Sequence, residues 1–288
     1  MVNQCVTTEC VCDLPESMLK SLNVDVIYFH IYTESGCFKD TDEVDARNIL
    51  EYMSSGGAKS KSEAPSVNEY KSFFQKKLEN YDEIIHIAIS SGISDSVKNA
   101  SLAAAKMGLD GKRVHIFDSG HLSSGMGMMV MRAAKQNHEG RSVRQILEEL
   151  EAMKKVVSTS FIVKNADFLF RNGKVSKSVR NLCSAFSLHP VLYMKDGILT
   201  LKGVQVGNYE KAGARYVKKE LRRADKIDKE YLFVTHANCL LKRIHQVKDI
   251  AAECCAFEKV IVNSASATVS SNCGPEAFGV LFLMKGED

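Results

Sequence analysis

The stretch Tyr81–Met107, YDEIIHIAISSGISDSVKNASLAAAKM, decides the fold. Its IIHIAI core (Ile84–Ile89) is short, β-branched and almost wholly apolar. That is the pattern of a central strand in a parallel sheet covered on both faces. From Val97 the apolar residues recur at helical spacing through Ala100, Leu102, Ala103, Ala104 and Met107, with no proline among them. Between strand and helix lies Ser90-Ser91-Gly92-Ile93-Ser94-Asp95-Ser96. Hydroxyls at the carboxyl end of a strand and the amino end of a helix occupy the place where open α/β sheets bind ligands. Free amides and the helix dipole favour an anion there. Each of Ser94, Asp95 and Ser96 also suits the plainer role of helix N-cap.

Upstream, Cys5–Cys10 reads as a short strand. Asp13 reads as the N-cap of a helix with Pro15 in its first turn. Val24–Tyr32 (VDVIYFHIY) reads as one strong strand, and Cys37–Asp45 as a loop or small hairpin. A helix starts near Asp45 and carries Ile49, Leu50 and Met53. Ser54–Pro65 (SSGGAKSKSEAP) has the composition of a flexible loop, long and polar enough to reach over a site. Ser66 with Glu69 forms a capping box, and Tyr70, Phe73, Phe74 and Leu78 follow at core spacing.

Downstream, RVHIFDS (Arg113–Ser119) is another buried strand, ending in Asp118-Ser119-Gly120-His121. The helix after it is rich in small residues and methionine. Its Gly125 and Gly127 imply either close packing or room for a ligand. Ser142–Lys155 is an amphipathic helix. Strand and helix alternate about four times up to here, which indicates a parallel α/β sheet. From Ser158 the character changes. Strands at Ser160–Val163, Pro190–Met194, Ile198–Gln205, Tyr231–His236, Lys259–Ser264 and Phe278–Met284 are mixed with helices and with an Asp196-Gly197 hairpin turn. Leu169–Val175 reads as a turn and Ser266–Pro275 as a polar loop. The expected organisation is a parallel-sheet α/β domain over 1–160 and an α+β domain with a mixed sheet over 161–288.

The composition narrows the function. The chain has 288 residues, 45% of them hydrophobic, and a net charge of only +3. That charge gives no electrostatic basis for nucleic-acid binding. No apolar run nears the roughly 20 residues that span a bilayer, and the amino terminus has no signal-peptide pattern. The expectation is a cytoplasmic protein with no stable membrane insertion. The nine cysteines include no Cys-x-x-Cys pair, so neither a structural metal nor a disulfide framework is expected. A Gly-x-Ser-x-Gly elbow, a Walker loop and a Rossmann glycine fingerprint are all absent. His86, His115 and His236 lie in or beside strands and read as packed residues. What remains is hydroxyls and amides converging on an acidic group, with no nucleophile–base pair.

Six motifs in order then resemble the DegV family, over nearly the whole chain. Glu9-Cys10-Val11-Cys12-Asp13-Leu14-Pro15 fills the family's Asp-Ser-Thr-x-Asp-Leu-Pro. Ser62-Glu63-Ala64-Pro65-Ser66 fills Thr-Ser-Gln-Pro-Ser, and Ser90–Ser96 fills Ser-Ser-x-Leu-Ser-Gly-Thr. Asp118-Ser119, then Pro190 with Asp196-Gly197, then Asn272-Cys273-Gly274-Pro275-Glu276-Ala277 complete the series. The resemblance implies a two-domain α/β fold with a long-chain fatty acid, such as hexadecanoate, in a tunnel. It implies that hydroxyls at Ser62 and Ser94 hold the carboxylate, helped by Asn272, with Ser91 and Ser119 as further candidate ligand-binding residues. It further implies a non-catalytic carrier, no cofactor beyond the fatty acid as ligand, and a separate fatty acid kinase as partner. Asn272 stands where the family has histidine, and Gly173-Lys174 where it has Gly-Arg. Asp95 and Glu276 bring acid toward the expected anion. An enzyme acting on a small anionic substrate in the same cleft, with His121 or Cys10 as catalyst, is the alternative.

Overall fold

The computed structural model describes residues 3–55, 60–173 and 176–286. The first half of the chain runs β1 (Gln4–Glu9), α1 (Glu16–Ser21), β2 (Asp25–Ile27), β3 (His30–Thr33), β4 (Gly36–Lys39), α2 (Ala46–Ser54), β5 (Lys61–Glu63), α3 (Val67–Lys77), β6 (Glu83–Ala88), α4 (Ser96–Lys106), β7 (Val114–Asp118), α5 (Ser123–His138) and α6 (Val143–Met153). The second half runs β8 (Val157–Ile162), α7 (Asp167–Arg171), α8 (Lys177–Ala185), β9 (Leu188–Lys195), β10 (Ile198–Val206), α9 (Tyr209–Glu220), β11 (Tyr231–His236), α10 (Leu241–Cys254), β12 (Lys259–Ser264), α11 (Ala267–Cys273) and β13 (Phe278–Leu283).

The first sheet is wholly parallel in the order β2-β1-β6-β7, with β6 inside. The apolar run of β6 is explained by its two covered faces. Ile85, Ile87 and Ile89 enter one core cluster with α5, while Ile84 joins Tyr70, Phe74, Ala100, Ala103 and Ala104 of α3 and α4. Burying each such isoleucine contributes about 1.5–3 kcal/mol. The second sheet is mixed, in the order β10-β9-β8-β13-β11-β12, with β11 and β12 parallel and the other pairings antiparallel. The protein is thus α/β, with an N-terminal parallel sheet and a C-terminal mixed sheet.

Helix α5 lies between the two sheets, touching β1 and β6 on one side and β8, β11 and β13 on the other. Every residue from Ser123 to Val130 is buried. This position explains the two glycines. A Cβ at Gly125 would stand 1.9 Å from Thr159 Oγ1, and one at Gly127 2.7 Å from the Cys12 carbonyl oxygen. Close packing is therefore their role, and neither leaves room for a ligand.

Four local expectations are corrected. The Val24–Tyr32 run breaks into β2 and β3, which belong to different sheets. Asp13 does not cap α1; it has φ +53°, and Pro15 precedes that helix. Leu169–Arg171 is helical within α7. Ser266–Pro275 contains helix α11, so Asn272 stands on a helix. The small sheet β4-β3-β5 turns the expected flexible stretch into an edge strand at Lys61–Glu63. Positions 56–59 of that stretch, and Lys174, lie outside the described residues.

Candidate ligand-binding site

The serine turn between β6 and α4 is held by three of its own hydroxyls. The Ser90 hydroxyl donates to the Gly197 carbonyl at 2.6 Å, joining the turn to the β9–β10 hairpin. At Gly92 a Cβ would come within 2.4 Å of the same carbonyl oxygen, so glycine permits the approach. The Ser91 hydroxyl donates to Asp118 Oδ2 at 2.5 Å, and the Gly120 amide to Asp118 Oδ1 at 2.9 Å. The Ser96 hydroxyl donates to Glu9, a fully buried carboxylate that also accepts from the Tyr70 hydroxyl (2.6 Å) and the Ile89 amide (2.9 Å). His86 Nε2 lies 3.5 Å from the same carboxylate.

Ser94 is placed differently. Its oxygen accepts from the Ser96 amide at 3.2 Å, so it supplies the cap; the Asp95 side chain makes no capping bond. Among the described residues the Ser94 O–H proton meets no acceptor, and the side chain is half-buried. It is the hydroxyl of the turn left able to donate outward.

Ser62 sits on β5, opposite Ile31 of β3, and so shares that residue's face of the small sheet. Ile31 is completely buried, in a core cluster that also holds Phe161, Ala237 and Ala277. Phe161, Ala237 and Ala277 also line a cavity, with Thr235, His236 and Val269 among its other walls. Ser62 is half-buried, and its hydroxyl makes no hydrogen bond among the described residues. The segment after it is tied to α4 by Asn99 Nδ2, which donates to the Pro65 carbonyl at 2.9 Å.

The cavity is a narrow slot between the six-stranded sheet and helices α5 and α11. Its volume is about 30 Å³, room for about two waters. Ser123, Thr159, Ser160, Thr235 and His236 interrupt a mainly apolar lining.

Helix α11 forms one wall, through Val269 and Cys273. Two aspartates from the first half of the chain hold its amino end. Asp13 Oδ1 accepts from the Ser266 amide (2.8 Å), while Asp40 accepts from the amides of Ala267 (2.7 Å) and Thr268 (2.8 Å). Asp13 Oδ2 also accepts from the Ser123 hydroxyl at 2.5 Å. These bonds satisfy donors that a helix start leaves open. Burial pushes the Asp13 carboxyl up to about 7, with nearby Asp40 adding to the rise and the Ser123 and Ser266 bonds opposing it. Burial likewise raises Asp40.

Asn272 Nδ2 donates back to the Thr268 carbonyl at 2.8 Å, within its own helix. Ser119 is buried, its hydroxyl spent on the turn that also engages the His121 amide and carbonyl. The acids flagged in the sequence are turned aside. Asp95 is exposed near Lys98, and Glu276 contacts Lys164 (3.0 Å) and Arg243 (2.5 Å). Neither proposed catalyst is set for chemistry. His121 is buried with both ring nitrogens engaged, by Thr159 Oγ1 and the Lys154 carbonyl at 3.0 Å each, and burial lowers its pKa. Cys10 is buried, accepts from the Phe29 amide, and has its thiol pushed well above the ordinary range by burial. Sequence reasoning missed Asp40 and the real partners of Glu9 and Asp13, because nothing local to those residues shows which distant groups they meet.

Fold and site together define a class: an α/β protein with a parallel and a mixed sheet, a hydroxyl-lined turn after a central strand, and a narrow slot beside α11 with no assembled nucleophile and base among the described residues. The DegV family profile matches residues 5–285, and the chain belongs to that family. A DegV domain-containing protein from Caldanaerobacter subterraneus is 24% identical over 97% of this chain and 98% of its own length. Among solved structures, a DegV family protein from Thermus thermophilus described for its fatty acid binding has a TM-score of 0.87 at 25% identity, covering 98% of this chain and 99% of its own. DegV from Bacillus subtilis, described as a fatty acid binding protein, has a TM-score of 0.80 at 22% identity, covering 99% of this chain and all of its own. A family member from Eubacterium eligens, loaded with heptadecanoic acid, has a TM-score of 0.84 at 18% identity, covering 98% of this chain and 100% of its own. Among the described residues no helix is long and apolar enough to cross a membrane.

Proposed function

We propose that this protein binds a long-chain fatty acid, such as hexadecanoate, as a non-catalytic cytoplasmic carrier. The carboxylate takes hydrogen bonds from the Ser62 and Ser94 hydroxyls, and the chain enters the apolar slot beside α11. The observation that carries the reading is the state of those two hydroxyls. Both are half-buried with their protons free among the described residues, in a fold whose relatives bind fatty acids. The other serines of the turn donate to protein acceptors, so Ser91 and Ser119 serve the frame that holds Ser94. Asn272 keeps one amide hydrogen for an approaching oxygen.

An acyl chain is wider than the slot, so binding shifts a wall. Helix α11 is the candidate wall: it has seven residues and depends on Asp13 and Asp40 for its first turn. Phosphorylation of the bound acid falls to a separate kinase, since this chain has no Walker loop to hold a nucleotide.

Mass spectrometry of a solvent extract, followed by titration with hexadecanoate, tests the reading. A stoichiometric long-chain acid, or its uptake on titration, is the expected result. Ser94→Ala removes the free donor and should weaken binding about 5- to 150-fold, the equivalent of about 1–3 kcal/mol. Absence of any fatty acid in the extract together with no uptake on titration would overturn the proposal. Unchanged affinity in both Ser62→Ala and Ser94→Ala would move the carboxylate elsewhere.

A further inference from the structure

The outer face of the small sheet carries a second arrangement, away from the slot. Register places His30 opposite Lys39, and Tyr32 opposite Cys37, on β3 and β4. Alternation puts these four on one face, with Ile31, Phe38 and Ser62 on the other. Cys37 Sγ lies 3.7 Å from His30 Nδ1, and His30 Nε2 lies 2.6 Å from Glu69 Oε1 on α3. The carboxylate is itself fixed, because Glu69 Oε2 accepts from the Ser66 amide (2.8 Å) and hydroxyl (2.7 Å). Burial opposes ionisation of Glu69, but the bonds from Ser66 and His30 outweigh it and hold the carboxyl below its usual range.

Chemistry then sets the tautomer. An ionised carboxylate only accepts, so His30 Nε2 carries the hydrogen. In the neutral ring Nδ1 is left with a lone pair, and that nitrogen faces the thiol. Nucleophile, base and orienting acid stand in line, the arrangement that activates a weak nucleophile. Among the described residues Cys37 alone of the nine cysteines is exposed, with Cys254 and Cys273 partly so. The other charged or titratable groups of this face are Lys39, Tyr32, and Lys61 paired with Glu63 at 2.5 Å.

We propose that Cys37 is a base-activated thiol that exchanges with small-molecule disulfides, with His30 taking its proton and Glu69 fixing the ring. The thiol proton passes to His30 Nδ1, and the thiolate attacks one sulfur of the disulfide. A new S–S bond forms to Cys37 as the reagent's S–S bond breaks. The departing thiolate takes the proton back from the imidazolium. Cys37 is oxidised to a mixed disulfide and the reagent is reduced, releasing one thiol. The site is independent of the fatty acid reading, since it lies on the opposite face of the sheet from Ser62.

The test treats the intact protein with substoichiometric dithiobis-nitrobenzoate at neutral pH, follows the released thiolate by absorbance, and maps the labelled peptide. Label on Cys37, at a rate about 10-fold above free glutathione and maintained to lower pH, is expected. Cys37→Ser should remove the fast phase, and His30→Gln should slow it about 10-fold. Glu69→Gln retains the capping box while removing the charge, and should give an intermediate rate with the helix intact. A Cys37 that reacts at the glutathione rate with the glutathione pH profile, or a rate unchanged in His30→Gln, would overturn the inference.

Discussion

Replacing Asp13 by asparagine isolates the energetic role of the seam between the first half of the chain and α11. Asp13 is buried, holds the Ser266 amide and the Ser123 hydroxyl, and has φ +53°, a conformation asparagine tolerates. The amide copies the protonated acid: its oxygen can accept from Ser266 and its NH2 can donate to the Ser123 oxygen. Folding raises the carboxyl from an unfolded value near 3.9 to about 7, so the folded state binds the proton more tightly. A raised pKa contributes stability below the unfolded value and loses it as pH climbs through the folded one. Between pH 5 and pH 8 the unfolded chain is already ionised while the folded carboxyl gives up its proton, half of it by pH 7, so the loss over this range is about 2–3 kcal/mol at 1.36 kcal/mol per unit. The wild type should therefore lose about that much more stability than Asp13→Asn between pH 5 and pH 8. Denaturant unfolding of both proteins, followed by far-UV circular dichroism across this range, reads the difference, and groups common to both cancel. A stability difference that does not change with pH would refute the reasoning. It would mean that the α11 amino end and the two hydrogen bonds stabilise the carboxylate as strongly as burial destabilises it.

Three further substitutions probe the surroundings of the serine turn. Tyr70→Phe removes one of the donors that meet Glu9 and should cost about 1–3 kcal/mol in unfolding free energy, far above the effect of an ordinary surface change. Gly92→Ala drives a methyl against the Gly197 carbonyl and should cost about 1–3 kcal/mol. Amide exchange should rise at the β9–β10 hairpin in that variant, whereas protection equal to the wild type would show that the contact adjusts freely. For Ser94→Ala the same denaturant assay should show a change within about 1 kcal/mol, because the lost cap is modest, so weakened fatty acid binding cannot be assigned to unfolding.

Where structure follows from neighbouring residues, the sequence was readable. The β6 run, the Ser66–Glu69 capping box and the Asp196-Gly197 turn all formed as expected, the last with φ of +50° and +76°. The parallel sheet of the first half followed from alternating strand and helix. The misreadings share a cause. Val24–Tyr32 is apolar throughout, but hydropathy does not record that β2 joins the parallel sheet while β3 turns into the small one. Ser266–Pro275 is polar and looks like a loop, yet it forms α11 because Asp40 and Asp13, 227 and 253 residues earlier, meet its first amides. Asp13 resembles a local cap, and its actual partners are visible only once the chain has closed on itself.

The sequence by itself therefore determined the α/β class, the family, and the hydroxyl-rich turn between β6 and α4. Periodicity, turn chemistry and motif order are properties of residues close together in the chain. Tertiary structure alone decided which serine hydroxyls remain free, which carboxylates hold the wall of the slot, and that Cys37, His30 and Glu69 stand in line. Each of those depends on polar groups far apart in sequence coming within hydrogen-bond reach, and only the packed chain brings them together.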